Sequence, residues 1–137
     1  MPTQARPFLM FTGRAEEAMT RYVSLFADGR VLEVNRYGAE GPGPEGSVMV
    51  ARFRIAGLEV MCSDSYVQHA FGFTPSMSLF VDCRSEEQVD VLAARLSEGG
   101  SVLMPLGDYG FSRRFAWVAD CFGVSWQLNL PGIGTKR

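Results

Sequence analysis

An internal repeat limits the possible folds of this chain more than any other feature of its sequence. The same order of segments, a strand, a helix and three strands, runs through each half, and the same letters recur in it. The matching pairs are Arg14–Glu17 with Arg84–Glu87, Gly29 with Gly99, Val31–Leu32 with Val102–Leu103, Tyr37–Gly38 with Tyr109–Gly110, and Gly57 with Gly123. We therefore expect an α+β fold in which two tandem βαβββ modules form a cupped mixed sheet with the helices outside.

The apolar spacing places these modules along the chain. We expect a single domain over 1–137, with a first module at 7–64, a connector at 65–75 and a second module at 76–131. Two sets of apolar residues recur at helical spacing. They are Ala15, Ala18, Met19, Tyr22, Val23 and Phe26 in the first module, and Val89, Leu92, Ala93 and Leu96 in the second. The second helix is preceded by a capping box, in which Ser85 accepts from the amide of Gln88 and Gln88 reaches back.

Residues 115–130 form the clearest strand pair in the sequence. Asp120–Gly123 indicates a tight turn, because Gly123 can adopt a positive φ. On the return strand two faces alternate. Val124, Trp126, Leu128 and Leu130 form one face, and Ser125, Gln127 and Asn129 form the other. Gln127 is thus a polar side chain in the middle of a strand that is otherwise typical of a core.

Composition and charge exclude several function classes. The net charge is −2, with acidic and basic residues interspersed, so the chain lacks the basic patch of a nucleic-acid-binding protein. No apolar run is long enough to span a membrane, and residues 1–7 lack the apolar region of a signal peptide. We expect a cytoplasmic protein whose three cysteines, Cys62, Cys83 and Cys121, are small buried residues rather than a metal or catalytic site.

Three segments carry a resemblance to a known family: Phe11–Ala18 with Tyr22 and Phe26, Leu58–Asp64, and Asp120–Leu128. Together they resemble the PhnB-like branch of the vicinal oxygen chelate superfamily, often labelled 3-demethylubiquinone-9 3-methyltransferase. Cys121 stands where this family more often has proline. The resemblance covers nearly the whole chain, and it implies the glyoxalase/bleomycin resistance fold and a homodimer.

The resemblance also implies where a metal ion would bind. Active members of the superfamily hold a divalent metal with four side chains, one from the first and one from the last strand of each module. In this chain those positions are Pro7 or Phe8, Met61, a residue near Ser76, and Gln127. Only Gln127 could be a ligand of the usual kind, and one amide oxygen does not hold a catalytic metal. We therefore expect no metal and no cofactor.

Other catalytic sites have weak support in the sequence. The glycine-rich segment Gly38–Gly46 contains two prolines and joins two predicted strands, so it indicates a hairpin loop rather than a cofactor cradle, and we do not expect methyltransferase activity. His69 with Asp64 is either an acid–base pair or a solvent-exposed loop histidine. Arg114, after Arg113, either holds an anionic ligand or is solvated.

The sequence therefore predicts a protein that binds an unidentified small molecule inside the cup. The candidate pocket residues are Phe8, Met10, Met61, Trp117 and Gln127, and the weaker candidates are Asp64, His69 and Arg114. A flat aromatic ligand would suit the tryptophans and phenylalanines, although Phe80, Phe115 and Trp126 are equally typical of an ordinary core. The alternatives are a metal-dependent lyase, isomerase or dioxygenase with atypical ligands, and resistance by sequestering a drug.

Overall fold

A computed structural model describes residues 2–132 of the chain. In this range the repeat appears as two runs of a strand, a helix and three strands. The first run is β1 (Phe8–Phe11), α1 (Ala15–Ser24), β2 (Arg30–Arg36), β3 (Val48–Ile55) and β4 (Leu58–Asp64). The second is β5 (Ser78–Asp82), α2 (Glu86–Ser97), β6 (Ser101–Gly107), β7 (Arg114–Ala119) and β8 (Ser125–Leu130). The strands form two four-stranded mixed sheets, which confirms the α+β class.

The chain divides into two compact units between Ala70 and Phe71, inside the predicted connector. We call them the first and second modules. Each module has the same strand order, β1-β4-β3-β2 in the first and β5-β8-β7-β6 in the second. In each, the first strand pairs in parallel with the last, and the other neighbours are antiparallel.

The helix of each module covers one face of its own sheet. Strand residues pointing toward the helix are buried, and these alternate with half-buried or exposed residues. The buried set in the first sheet includes Leu9, Phe11, Ala51, Phe53, Val60 and Cys62. In the second it includes Leu79, Val81, Ala116, Val118, Trp126 and Leu128. Each sheet therefore has a second face that its own helix does not cover, which we call its open face.

The two helices begin in different ways. The first-turn amides of α1 have no local cap, and Asp64 at the end of β4 accepts from the N–H groups of Gly13 and Ala15 at 2.8 and 2.9 Å. Its other oxygen accepts from Val48 N–H at 3.1 Å. Strand β4 extends to Asp64 because its last residues pair with β1.

Helix α2 begins with the predicted cap. The hydroxyl of Ser85 accepts from Gln88 N–H at 3.1 Å, and the Gln88 side chain accepts at 2.8 Å from the N–H of Arg84 rather than that of Ser85. The predicted turn at Asp120–Gly123 is also confirmed, with Gly123 at a φ of 95°. The buried Asp120 carboxylate accepts from the N–H groups of Phe122 and Val124 and from the Trp126 indole.

Two of the three cysteines lie in the core. Burial raises the pKa of the Cys62 thiol to about 12 and that of Cys83 to about 11. Cys121 is half-buried in the turn between β7 and β8. Within residues 2–132, neither helix is long and apolar enough to cross a membrane.

Candidate functional site

The open face of the second sheet carries a row of four large side chains, one from each strand. Phe80 on β5 lies opposite Gln127 on β8, Gln127 lies opposite Trp117 on β7, and Trp117 lies opposite Met104 on β6. Gln127 and Trp117 are half-buried, whereas Phe80 is 56% exposed. The strand register therefore places one amide between two aromatic rings on an accessible surface.

A chain of hydrogen bonds fixes the polar groups of this face. The Trp117 indole N–H donates to Ser125 Oγ at 2.8 Å, and Ser125 Oγ lies 2.6 Å from Ser78 Oγ. Gln127 Nε2 donates to the same Ser78 oxygen at 3.2 Å. Because the chain joins β5, β7 and β8, it holds the indole and the amide in defined orientations.

Aromatic rings extend this face toward the segment between β6 and β7. The ring of Phe115 lies 6.4 Å from that of Phe80, 5.9 Å from that of Tyr109 and 5.0 Å from that of Phe111. Phe115 is only 2% exposed beneath its neighbours, while Phe111 is 61% exposed. Such edge-to-face groups present apolar surface suited to a flat ligand. Trp126, by contrast, is fully buried on the helix side and belongs to the core.

Arg114 lies on the opposite side of this sheet. It pairs with Leu130 across the strands, and its Nε donates to Asp90 on α2 at 2.8 Å. That hydrogen bond raises the pKa of the Arg114 guanidinium. The contact gives Arg114 a role in joining α2 to β7, and it directs the guanidinium away from the open face.

The open face of the first sheet is strongly charged. Phe8, Met61, Arg52 and Glu33 form one row across it, and Met10 lies opposite Ser63 in the next. Glu59 contacts both Arg6, at 2.6 Å, and Arg52, at 2.7 Å, and Arg52 also contacts Glu33 at 3.0 Å. The hydrogen bond from Arg52 holds the pKa of the Glu59 carboxyl below its usual value.

The candidates Asp64 and His69 lie at the other end of β4. Asp64 and Ser65 line a cavity of about 230 Å³, and Ser65 Oγ lies 2.9 Å from His69 Nε2. The same hydroxyl accepts from Val67 N–H, which shapes the turn after β4. Both oxygens of Asp64 accept backbone N–H groups, so its carboxylate caps α1 and anchors the start of β3.

Comparison with known proteins identifies the family. A family model described as 3-demethylubiquinone-9 3-methyltransferase matches residues 3–129. The chain belongs to this family. A Bacillus cereus structure described as a putative 3-demethylubiquinone-9 3-methyltransferase, PhnB protein, is 51% identical, with a TM-score of 0.90 over 93% of this chain and 99% of that one. A protein of Mycobacterium bovis described as uncharacterised is 31% identical, covering 85% of this chain and 76% of its own length.

More distant structures show the fold alone. The fosfomycin resistance protein FosX of Listeria monocytogenes, solved with Mn(II), is 13% identical, with a TM-score of 0.67 over 98% of this chain and 96% of that one. A glyoxylase/bleomycin resistance protein/dioxygenase domain from Frankia gives the same TM-score at 16% identity, over 98% and 95% of the two chains. The PhnB-like chain therefore has the glyoxalase/bleomycin resistance fold, as the sequence predicted.

The strand register shows which residues face one another at the metal-ligand positions that the resemblance implied. Phe8 lies opposite Met61, and the equivalent pair in the second module is Phe80 opposite Gln127. Ser76, near which the fourth position was predicted, lies in the turn before β5. Three of the four side chains are apolar and the fourth is a neutral amide, a donor set that does not fit a divalent metal. Across the described part of the chain, no three His, Cys, Asp or Glu side chains cluster as a metal site would require.

The structure groups the predicted pocket residues within their own modules. Phe8, Met10 and Met61 share the open face of the first sheet, and Trp117 and Gln127 share that of the second. Ser78 and Ser125 orient the latter pair but were not among the predicted site residues, although the alternation had placed Ser125 on the same face as Gln127. Their small side chains carry no signal in the sequence. Phe80, which the sequence left open between a ligand contact and ordinary core, alternates with the buried Leu79 and Val81 and is exposed on the open face.

Proposed function

We propose that this protein binds a small planar molecule on the open face of its second sheet and that it does so without a metal ion. The observation that carries the proposal is the row in which Gln127 lies between Phe80 and Trp117. Aromatic rings offer area for a flat ligand, and an amide between them offers a directional contact. The hydrogen bonds to Ser78 and Ser125 hold these groups in place before a ligand arrives.

The residues at the ligand positions that the resemblance implies support metal independence. Divalent metals in proteins are held by several imidazole, carboxylate or thiolate groups. Phe8, Met61 and Phe80 offer none of these, and the amide nitrogen of Gln127 is already engaged with Ser78. A metal at these positions would have one protein ligand, too few for tight binding.

The proposal does not extend to methyl transfer, although the family's description names that reaction. Nucleotide-like cofactors bind in doubly wound folds at a glycine-rich turn between a strand and a helix. In this chain the glycine-rich segment Gly38–Gly46 joins β2 to β3. That location supports the interpretation as a hairpin loop.

We include a homodimer in the proposal. Each module exposes large apolar side chains on the open face of its sheet, with Phe8 at 52% and Phe80 at 56%. Exposed apolar surface of this kind is typical of interaction sites. A second copy of the chain is the simplest partner, because most soluble oligomers are symmetric assemblies of identical chains.

Elemental analysis combined with thermal melting tests the proposal. Purified protein should hold far less than one divalent metal per chain, and treatment with a chelator should leave the melting temperature unchanged. A panel of planar aromatic compounds should raise the melting temperature equally with and without added Mn²⁺ or Zn²⁺. About one tightly held metal per chain, with melting that falls on chelation, would contradict the proposal and favour a metal-dependent enzyme.

The matched variants for the ligand screen are Gln127→Met and Asn129→Leu. Both replace an amide on the same face of β8, but Asn129 donates to Asp82 one row away from the tryptophan. Stabilisation by planar compounds should decrease in Gln127→Met and persist in Asn129→Leu. Equal loss in both variants would contradict a specific contact between Gln127 and the ligand.

A further inference from the structure

The direction of the hydrogen bond between Ser125 and Ser78 can be deduced from the groups around it. Ser125 is 1% exposed, and its oxygen accepts the indole N–H of Trp117. A buried hydroxyl must also place its own hydrogen on an acceptor. The structure offers Ser78 Oγ at 2.6 Å, so Ser125 donates to Ser78.

This direction determines which hydrogen-bonding groups of Ser78 and Gln127 remain available to a ligand. Ser78 Oγ accepts both from Ser125 and from Gln127 Nε2, which fills its two lone pairs and leaves its O–H as a donor. Gln127 uses its nitrogen on Ser78, which leaves Oε1 as an acceptor. Among residues 2–132 neither group has a partner, and both side chains are half-buried and accessible. The face thus presents one donor beside one acceptor.

The charges on this face also indicate the net charge of a ligand that can bind to it. The strand register places the side chains of three rows on it, and Asp82 is the one ionisable group in these rows. Asp82 accepts from Asn129 at 2.8 Å. The three rows contain no cation, so an anionic ligand would lose hydration without gaining an ion pair. The first sheet differs, because its open face carries Arg30 opposite Arg54 in addition to the Arg52 network.

We infer that the ligand is a neutral, planar molecule with a hydrogen-bond acceptor next to a donor, as in a cyclic amide. Its carbonyl accepts from the Ser78 hydroxyl, its N–H donates to Gln127 Oε1, and its ring lies against Phe80 and Trp117. The two polar groups are adjacent, since they are joined by the 3.2 Å bond between Gln127 Nε2 and Ser78 Oγ. This inference rests on the proposed function and assigns its ligand class.

The test uses three planar bicyclic probes of different hydrogen-bonding capacity and charge. 2-Quinolinone carries the N–H and the carbonyl, N-methyl-2-quinolinone lacks the donor, and naphthalene-2-carboxylate is planar and anionic. Binding is followed by the ¹⁵N–¹H indole resonances of the two tryptophans in the intact protein. Trp117 reports the site, and Trp126, bonded to the buried Asp120, is the internal control for folding.

We expect 2-quinolinone to shift the Trp117 resonance and to bind about tenfold more tightly than its N-methyl analogue, because the analogue leaves Gln127 Oε1 unpaired. Naphthalene-2-carboxylate should bind more weakly than 2-quinolinone. In Gln127→Met the preference for N–H over N-methyl should disappear. The control Asn129→Leu removes only the amide that donates to Asp82. In this variant the preference for N–H over N-methyl should persist.

Two results would overturn the inference in distinguishable ways. If all three probes shift Trp117 with equal affinity, the ligand class is wrong while the proposed binding face stands. If no probe shifts Trp117 while Trp126 shows a folded protein, the proposed function fails as well. Loss of the Trp126 resonance in Gln127→Met would disqualify that variant, and Ser78→Ala would then replace it, with an expected loss of about tenfold in 2-quinolinone affinity.

Discussion

At the scale of single residues, Asp64 has the largest structural role that the sequence did not reveal. Its buried carboxylate accepts three backbone N–H groups, from Gly13, Ala15 and Val48. Hydrogen bonds to a charged group contribute more than neutral ones, and unsatisfied buried donors are costly. Asp64→Ala should lower the free energy of unfolding by about 3 kcal/mol, measured by urea denaturation.

Asp108→Ala is the matched control for that variant. Asp108 accepts from a single backbone N–H, that of Gly110, at an exposed position. Its removal should cost less than about 1 kcal/mol. Equal losses in the two variants would show that the Asp64 carboxylate does not anchor the start of α1.

The cysteines give a second test at this scale. Burial raises the pKa of Cys62 to about 12 and that of Cys83 to about 11, so their thiolates are scarce at neutral pH and their sulfurs are inaccessible. In native protein at pH 8, a disulfide reagent should react first with the half-buried Cys121. Cys121→Ser should remove the fast phase of that reaction. Fast modification of Cys62, detected by mass spectrometry, would contradict the burial of its thiol.

At the scale of elements, the ion pairs of the first sheet make its stability depend on pH. The hydrogen bond from Arg52 lowers the pKa of Glu59 in the folded state from its usual value of 4.5. Because the folded pKa is the lower one, this contribution is fully present above 4.5 and is lost as the pH falls through the folded value. Stability should therefore fall in acid, and Glu59→Gln should make that fall shallower.

Thermal melting between pH 7 and pH 3 measures this effect. Glu45→Gln is the control, since Glu45 lies on the exposed loop before β3 and has no ion-pair partner among the residues that the structure describes. It should follow the wild-type curve. An unchanged slope in Glu59→Gln would show that the contacts with Arg6 and Arg52 do not persist in solution.

The elements themselves were largely predictable, because each is encoded in neighbouring residues. Alternation predicted the β7–β8 pair, and the Ser85 cap predicted the start of α2. Contacts between distant residues were not predictable in this way. The sequence gives no local sign that Asp64 caps a helix beginning at Ala15, because the two residues are 49 positions apart. The register that pairs Phe80 with Gln127 was not predictable either, because it is set between two strands that are distant in the sequence.

At the scale of the whole molecule, the proposed homodimer is the first expectation to test. Light scattering coupled to gel filtration should give about 30 kDa, twice the chain mass of 15.1 kDa. Replacing the exposed Phe8 by aspartate should shift the mass toward that of one chain, because a buried charge opposes association. Met49→Asp, an exposed apolar position on β3, is the control. A wild-type mass of 15 kDa at micromolar concentration would contradict the dimer.

The central claim is that a planar ligand binds beside Trp117 and Gln127 without a metal ion. One titration tests it most directly, that of chelator-treated, ¹⁵N-labelled protein with 2-quinolinone, followed by the indole resonances. We expect a saturable shift of Trp117, a constant Trp126, and the same affinity after addition of Mn²⁺ or Zn²⁺. A Trp117 resonance that stays unchanged until a divalent metal is added would contradict the claim.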